Sequence, residues 1–294
     1  MRTILFDKSA LQALSLDEMT RLGKRAQVLA TEALVLELVA DIRYGDERSK
    51  HLAKKLRFAG AVVNAEYDGL CVAELYGKRV PMTRRPLLVG DEVVGRGGEI
   101  GVVARETYSD EILARCAAGK PSEEDAELAR TWTEAMKQFD IGSLERDFRK
   151  AIPRSRYPKS LEESLALVDA LLADASKQAA HLEMLLTLLP KYKSSHQELT
   201  EIWTLDPSKD LRSMSPYSMH CLRVSLALVL AVATGLVGTR DTNFVDAHYL
   251  HYLPFASEFA SRDADQRRLC VPLLGPGQVL VSPEELKTEV SAGT

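Results

Sequence analysis

No Cys-x-x-Cys pair occurs in this chain: its four cysteines, Cys71, Cys116, Cys221 and Cys270, are scattered over 294 residues. That spacing argues against a zinc site or a disulfide framework and points to separate reduced thiols in a cytoplasmic protein. A Walker-type loop is missing too, because Gly95-Arg-Gly-Gly98 lacks the following Gly-Lys-Ser/Thr, and so is a serine nucleophile elbow. Long hydrophobic runs are lacking. The most apolar stretch, 224–239, holds 16 residues between Arg223 and Arg240, shorter than a membrane span needs, and reads as a buried helix. The first apolar run, Ile4 to Phe6, stops at Asp7 with no small-residue cleavage site behind it, which reads against a signal peptide. Nor is there an excess of one charge. At a formal −4, nucleic-acid binding would have to come from a local basic patch.

What is present is an ordinary globular composition, 46% hydrophobic and 27% charged, in a chain long enough to bury a core without staples. Residues 2–6 read as a short buried strand. Ser15-Leu-Asp-Glu18 has the form of a capping box that opens a helix to about Arg25. A second strand over 27–31 and a helix over 32–42 complete a β-α-β-α opening, the order of a parallel sheet flanked by helices. Residues 60–105, rich in Val and Gly, read as a few short strands or hairpins. From about 109 to 213 the pattern is helical. Within it, Leu161, Leu165, Val168, Leu172, Ala175, Ala179, Leu182, Leu186 and Leu189 step by four and three, the seam of a coiled coil or helical hairpin. That seam serves either packing inside the chain or a homodimer or protein partner. Ser215-Pro216 reads as a hydroxyl cap before a long core helix. A helix led by Asp246, a strand over 258–261, a short helix from Ala264 and a last strand over 278–281 return to α/β order.

Sites in open α/β sheets lie where strands end. Asp7 follows Ile4-Leu-Phe6, and Asp263 follows Glu258-Phe-Ala-Ser-Arg262. A carboxylate at such a place is costly to desolvate without a positive partner. Two that converge suggest a hard divalent ion, since no His/Cys cluster suits zinc. Taken singly, each acid is also a reasonable helix cap or surface charge.

Four ordered segments carry a resemblance. They are Ile4-Leu-Phe-Asp7-Lys-Ser9, Thr31-Glu-Ala-Leu-Val-Leu-Glu37, Asp246-Ala-His-Tyr-Leu-His251 and Phe259-Ala-Ser261-Arg-Asp263. Together they resemble the PIN domain family of metal-dependent nucleases, over residues 1–50 and 216–290. The resemblance implies a three-layer α/β fold, a discontinuous nuclease domain of 1–50 and 216–294, and a mainly helical insertion over 51–215. It implies Mg²⁺ or Mn²⁺ held by Asp7, Glu37, Asp246 and Asp263, with Asp241 the rival for the third position. Ser9, Ser261, Asp41 and Asp265 stand as supporting residues. It also implies hydrolysis of a phosphodiester, in RNA or alternatively DNA, leaving a 5′-phosphate and a 3′-hydroxyl.

Two departures stand out. Lys8 puts a cation beside the first acid, and the step from Glu37 to Asp246 is 209 residues. Lys8 favours an alternative in which the chain is a non-catalytic scaffold that binds a partner through its insertion. The insertion carries Arg146, Arg149, Lys150, Arg154, Arg156 and Lys159, interleaved with Phe148 and Tyr157, as candidate nucleic-acid contacts or a solvated face. Lys78, Arg79, Arg84 and Arg85 form a weaker basic cluster. His248 and His251 read as core or surface residues more readily than as a metal pair.

Overall fold

Thr3–Phe6 is a run of β-formers with no charged side chain, and it forms β1, buried along its whole length. The computed structural model describes residues 2–87, 90–94, 100–104, 108–138, 157–206, 209–238 and 243–292. Five strands make one all-parallel sheet: β1, β2 (Gln27–Ala30), β3 (Val62–Val63), β6 (Glu258–Ala260) and β7 (Val279–Val281). Their order is β3-β2-β1-β6-β7. From β1 the chain therefore builds outward to one side through β3, and much later to the other side through β7. The crevice between the carboxyl ends of β1 and β6 is the topological switch point, the usual ligand position in such sheets. The sheet takes in β3, which lies inside the 51–215 stretch. A separate antiparallel pair, β4 (Gly90–Val94) and β5 (Ile100–Ala104), forms the hairpin expected there.

A parallel sheet needs both faces covered, and the described helices supply the cover. They are α1 (Lys8–Ala13), α2 (Leu16–Gly23), α3 (Glu32–Arg43), α4 (Glu47–Phe58), α5 (Tyr67–Leu75), α6 (Tyr108–Ala118) and α7 (Glu123–Gln138). After these come α8 (Leu161–Ala173), α9 (Gln178–Thr187), α10 (His196–Thr204), α11 (Leu211–Met214), α12 (Pro216–Ala233), α13 (Asn243–His251), α14 (Ala264–Cys270) and α15 (Pro283–Ser291). The Ser15–Glu18 capping box forms as read. Helix α5 replaces part of the strand expectation for 60–105. Its apolar run is buried on several sides instead of alternating, and it stops where Gly77 adopts φ 88° to close the C-terminal turn.

The seam over 161–189 is not one helix. Asp174 leaves the helical conformation and caps a new turn by accepting the Ser176 N–H, so α8 and α9 are separate. Ala175 and Ala179, at the proposed centre of close approach, are exposed. The apolar seam positions on either side are buried, and α8 packs on α12. Packing inside the chain accounts for the pattern. Helix α12 is long and apolar enough to span a membrane by length and composition, yet 72% of it is buried within the fold.

Its cap also differs from the sequence reading. The Ser215 hydroxyl makes no cap bond. Instead the Glu74 carboxylate, 1% exposed, accepts the N–H groups of Tyr217 at 3.1 Å and Ser218 at 2.7 Å, plus the Ser218 hydroxyl at 2.8 Å. A negative charge at a helix N-terminus is favoured by the unsatisfied N–H groups and the dipole. Glu74→Ala leaves those donors buried and unpaired, and is expected to cost about 1–2 kcal/mol, read as a lower urea midpoint at unchanged slope.

Candidate active site

Asp7 directly follows β1 and begins α1 as its N-cap, accepting the Ala10 N–H at 2.7 Å. Its side chain is almost wholly buried. Two hydroxyls orient it. Ser9 donates to both carboxylate oxygens at 2.8–2.9 Å, and Ser261, just past β6, donates to Oδ2 at 2.6 Å. The same hydroxyls accept from the facing loop: Ser9 from the N–H groups of Arg262 (2.9 Å) and Asp263 (3.1 Å), and Ser261 from Asp263 N–H (3.1 Å). The ends of β1 and β6 are thereby stitched together across the switch point. Asp263 stands two hydrogen bonds from the Asp7 carboxylate and caps α14 through Gln266 N–H at 2.8 Å. Gln266, buried, reaches the Asp246 carbonyl at 3.2 Å and Ser261 at 3.3 Å, tying α13 to the same loop.

Glu37, on α3, accepts a hydrogen bond from the Tyr249 hydroxyl on α13. Lys8 points away from Asp7's hydroxyl cradle: its Nζ lies 2.6 Å from Asp41 and 3.9 Å from Glu37. Asp41 in turn accepts from Ser49 at 2.6 Å. Asp246 does not lead its helix. Helix α13 begins at Asn243, so Asp246 sits in its first turn, partly buried. Glu37, Asp7 and Asp246 all press on the Tyr249 hydroxyl electrostatically, which, after burial, keeps its pKa well above the usual tyrosine value.

The carboxylates feel one another. Burial pushes the Asp7 pKa up, its bonds to Ser261, Ala10 and Ser9 pull it back, and Asp263 adds repulsion. Burial likewise raises Glu37, against the pull of Lys8 and Tyr249 and with repulsion from Asp41 and Asp7. For Lys8, burial opposes the charged form, but Glu37 and Asp41 outweigh it and hold its pKa high. A site whose acids stay above their ordinary pKa has negative charge left to neutralise.

The four predicted ligands share one neighbourhood, but they divide into an Asp7–Asp263 pair bridged by hydroxyls and a Glu37 bound to Tyr249 and Lys8. Among the described residues, no group of three or more His, Cys, Asp and Glu is gathered as a ready ligand set. The expected closed four-acid shell is therefore absent from this arrangement, because Tyr249 and Lys8 draw Glu37 aside. Asp265 forms a partly exposed pair with Arg268 at 3.6 Å on α14, a surface position. Asp241, Arg146, Arg149, Lys150, Arg154 and Arg156 lie outside the described residues. Lys159 is exposed, and its N–H donates to Glu163 at 2.8 Å. Arg84 N–H donates to the Pro254 carbonyl at 2.9 Å, and Lys78, Arg79 and Arg85 are exposed. His248 and His251 are buried beside Tyr67, and burial brings His248 down to about 4, so both stay neutral in the core.

One acidic group escaped the sequence reading. Glu32 follows β2 at the same sheet edge, and with Glu66 and Asp68 it surrounds Lys191 Nζ at 3.5, 3.2 and 3.5 Å. These residues flank a cavity of about 100 Å³, walled also by Tyr67, Trp132 and Tyr252. Tyr249 was missed as well, although its position three residues after Asp246 puts it on the same helix face. Searches against protein-family models, curated proteins and solved structures gave no match.

Proposed function

We propose that this chain is a divalent-metal-dependent nuclease that hydrolyses phosphodiester bonds in RNA. The observation that carries the reading is the buried Asp7 carboxylate, oriented by Ser9 and Ser261 and bridged by them to Asp263, at the switch point of a parallel sheet. The donors are all oxygen and the acids are held above their ordinary pKa, a chemistry that suits Mg²⁺ or Mn²⁺. Asp7 and Asp263 would hold such an ion, with Glu37 and Asp246 contributing through water. When bound, the ion neutralises phosphate oxygens and lowers the pKa of an attacking water.

The protein's own part is orientation. Ser9 and Ser261 fix the Asp7 rotamer, Gln266 fixes the Asp246 turn, and Tyr249 fixes Glu37, so that little reorganisation accompanies reaction. The resemblance to PIN nucleases supplies the products, a 5′-phosphate and a 3′-hydroxyl. The Lys8 pairing with Asp41 and Glu37 favours a second reading, a scaffold that binds a partner and needs no metal.

Metal titration separates the two. An ion that binds only the folded chain raises its melting temperature, by several degrees when present at about 100 times its Kd. Millimolar Mn²⁺ is expected to produce that rise and to switch on cleavage of single-stranded RNA, with single-stranded DNA run in parallel as the alternative substrate. No rise and no metal-dependent cleavage would leave the scaffold reading standing.

A further inference from the structure

The two halves of the acid site differ in what neutralises them. Asp7 and Asp263 are met only by neutral donors among the described residues: hydroxyls and backbone N–H groups, with no cationic side chain within 4 Å. Glu37 and Asp41 share an ammonium from the chain itself, Lys8 Nζ at 3.9 and 2.6 Å. That ammonium is not a loose surface charge. Lys8 is 25% exposed, and each of its carboxylates is anchored a second time, Glu37 by the Tyr249 hydroxyl and Asp41 by Ser49. Two-metal nuclease sites hold their ions close together between clustered carboxylates. A second dication beside Lys8 would meet direct like-charge repulsion at short range. It would also have to take Glu37 from its existing cation.

We propose that Lys8 is a built-in counter-cation for Glu37 and Asp41, and that the site therefore takes a single divalent ion, on the Asp7–Asp263 side. The inference rests on the metal site of the nuclease reading and assigns Lys8 a positioning role there. It gives the departure at this position a purpose: the ammonium fills one of two cation places and leaves the other for an exchangeable ion.

The test is stoichiometry, measured on the full chain by isothermal titration with Mn²⁺ and by the electron paramagnetic resonance of the bound ion. Wild type is expected to bind one Mn²⁺ per chain. Lys8→Met is expected to bind two, with the exchange-coupled signal of a close pair, and Lys8→Arg, which keeps the charge, to stay at one. Glu37→Gln in the Lys8→Met background should return the count to one. If Lys8→Met proves too unstable, Lys8→Gln replaces it, with folding checked by circular dichroism. Two ions in wild type, or one ion in Lys8→Met and Lys8→Gln alike, would overturn the proposal while leaving the nuclease reading intact. No ion bound by any variant would overturn both.

Discussion

Asp7→Asn and Asp263→Asn are each expected to lower metal-dependent RNA cleavage by more than about 100-fold, beyond the 10–100-fold usual for losing a residue that only supports a metal ligand. The two changes should leave the fold intact. Asparagine at position 7 keeps an oxygen for the Ala10 N–H cap, and hydroxyls can rotate to suit its amide. Burial and Asp263 already disfavour the Asp7 charge, so its removal relieves a penalty when no metal is bound. The signature is thus double: Asp7→Asn melts as high as wild type without metal, or higher, and it loses most of the rise produced by Mn²⁺. Ser261→Ala, which removes one orienting hydroxyl, should cost only about 10–100-fold. Asp265→Asn, a surface pair with Arg268, should cost nothing. Equal cleavage by wild type, Asp7→Asn and Asp263→Asn would trace the activity to a contaminant.

What sequence could show of this site was what local chain order dictates. Asp7, Ser9, Ser261 and Asp263 each sit within three residues of a strand end, and the alternation of elements fixed those ends well enough to bring both pairs to one edge. The opening order and the parallel sheet were legible for the same reason. What stayed hidden depends on contacts between distant residues. Glu37 meets a tyrosine 212 positions away, and the cap of α12 is supplied by Glu74, 143 positions before Tyr217. No periodicity encodes either contact. The seam over 161–189 failed differently: its apolar spacing is real, but Asp174-Ala-Ser176 offers a local side-chain-to-backbone bond that competes with the helix. Counting apolar positions is blind to that competition.

Lys191→Met is expected to destabilise the fold by about 2–3 kcal/mol at pH 8. Removing one partner of a buried ion group leaves the others uncompensated, and the usual 3–5 kcal/mol is discounted here because Lys191 is 44% exposed. The pH dependence identifies the cause. Burial pushes Glu32 up to about 8 from its ordinary 4.5, although Lys191 pulls it down. Across that window the folded state holds a proton that the unfolded chain has released, so Glu32's contribution is best at the acid end and is lost as pH rises from about 4.5 to 8. Asp68 is raised by burial in the same direction, whereas Glu66 is held low and loses its contribution under acid. Without the ammonium, the raised pair climbs further and the penalty reaches to higher pH. Urea midpoints at pH 5, 6.5 and 8 should therefore show the gap between wild type and Lys191→Met widening with pH. A gap that stays constant would mean that Lys191 acts through the packing of its aliphatic stem, with its charge irrelevant to Glu32 and Asp68.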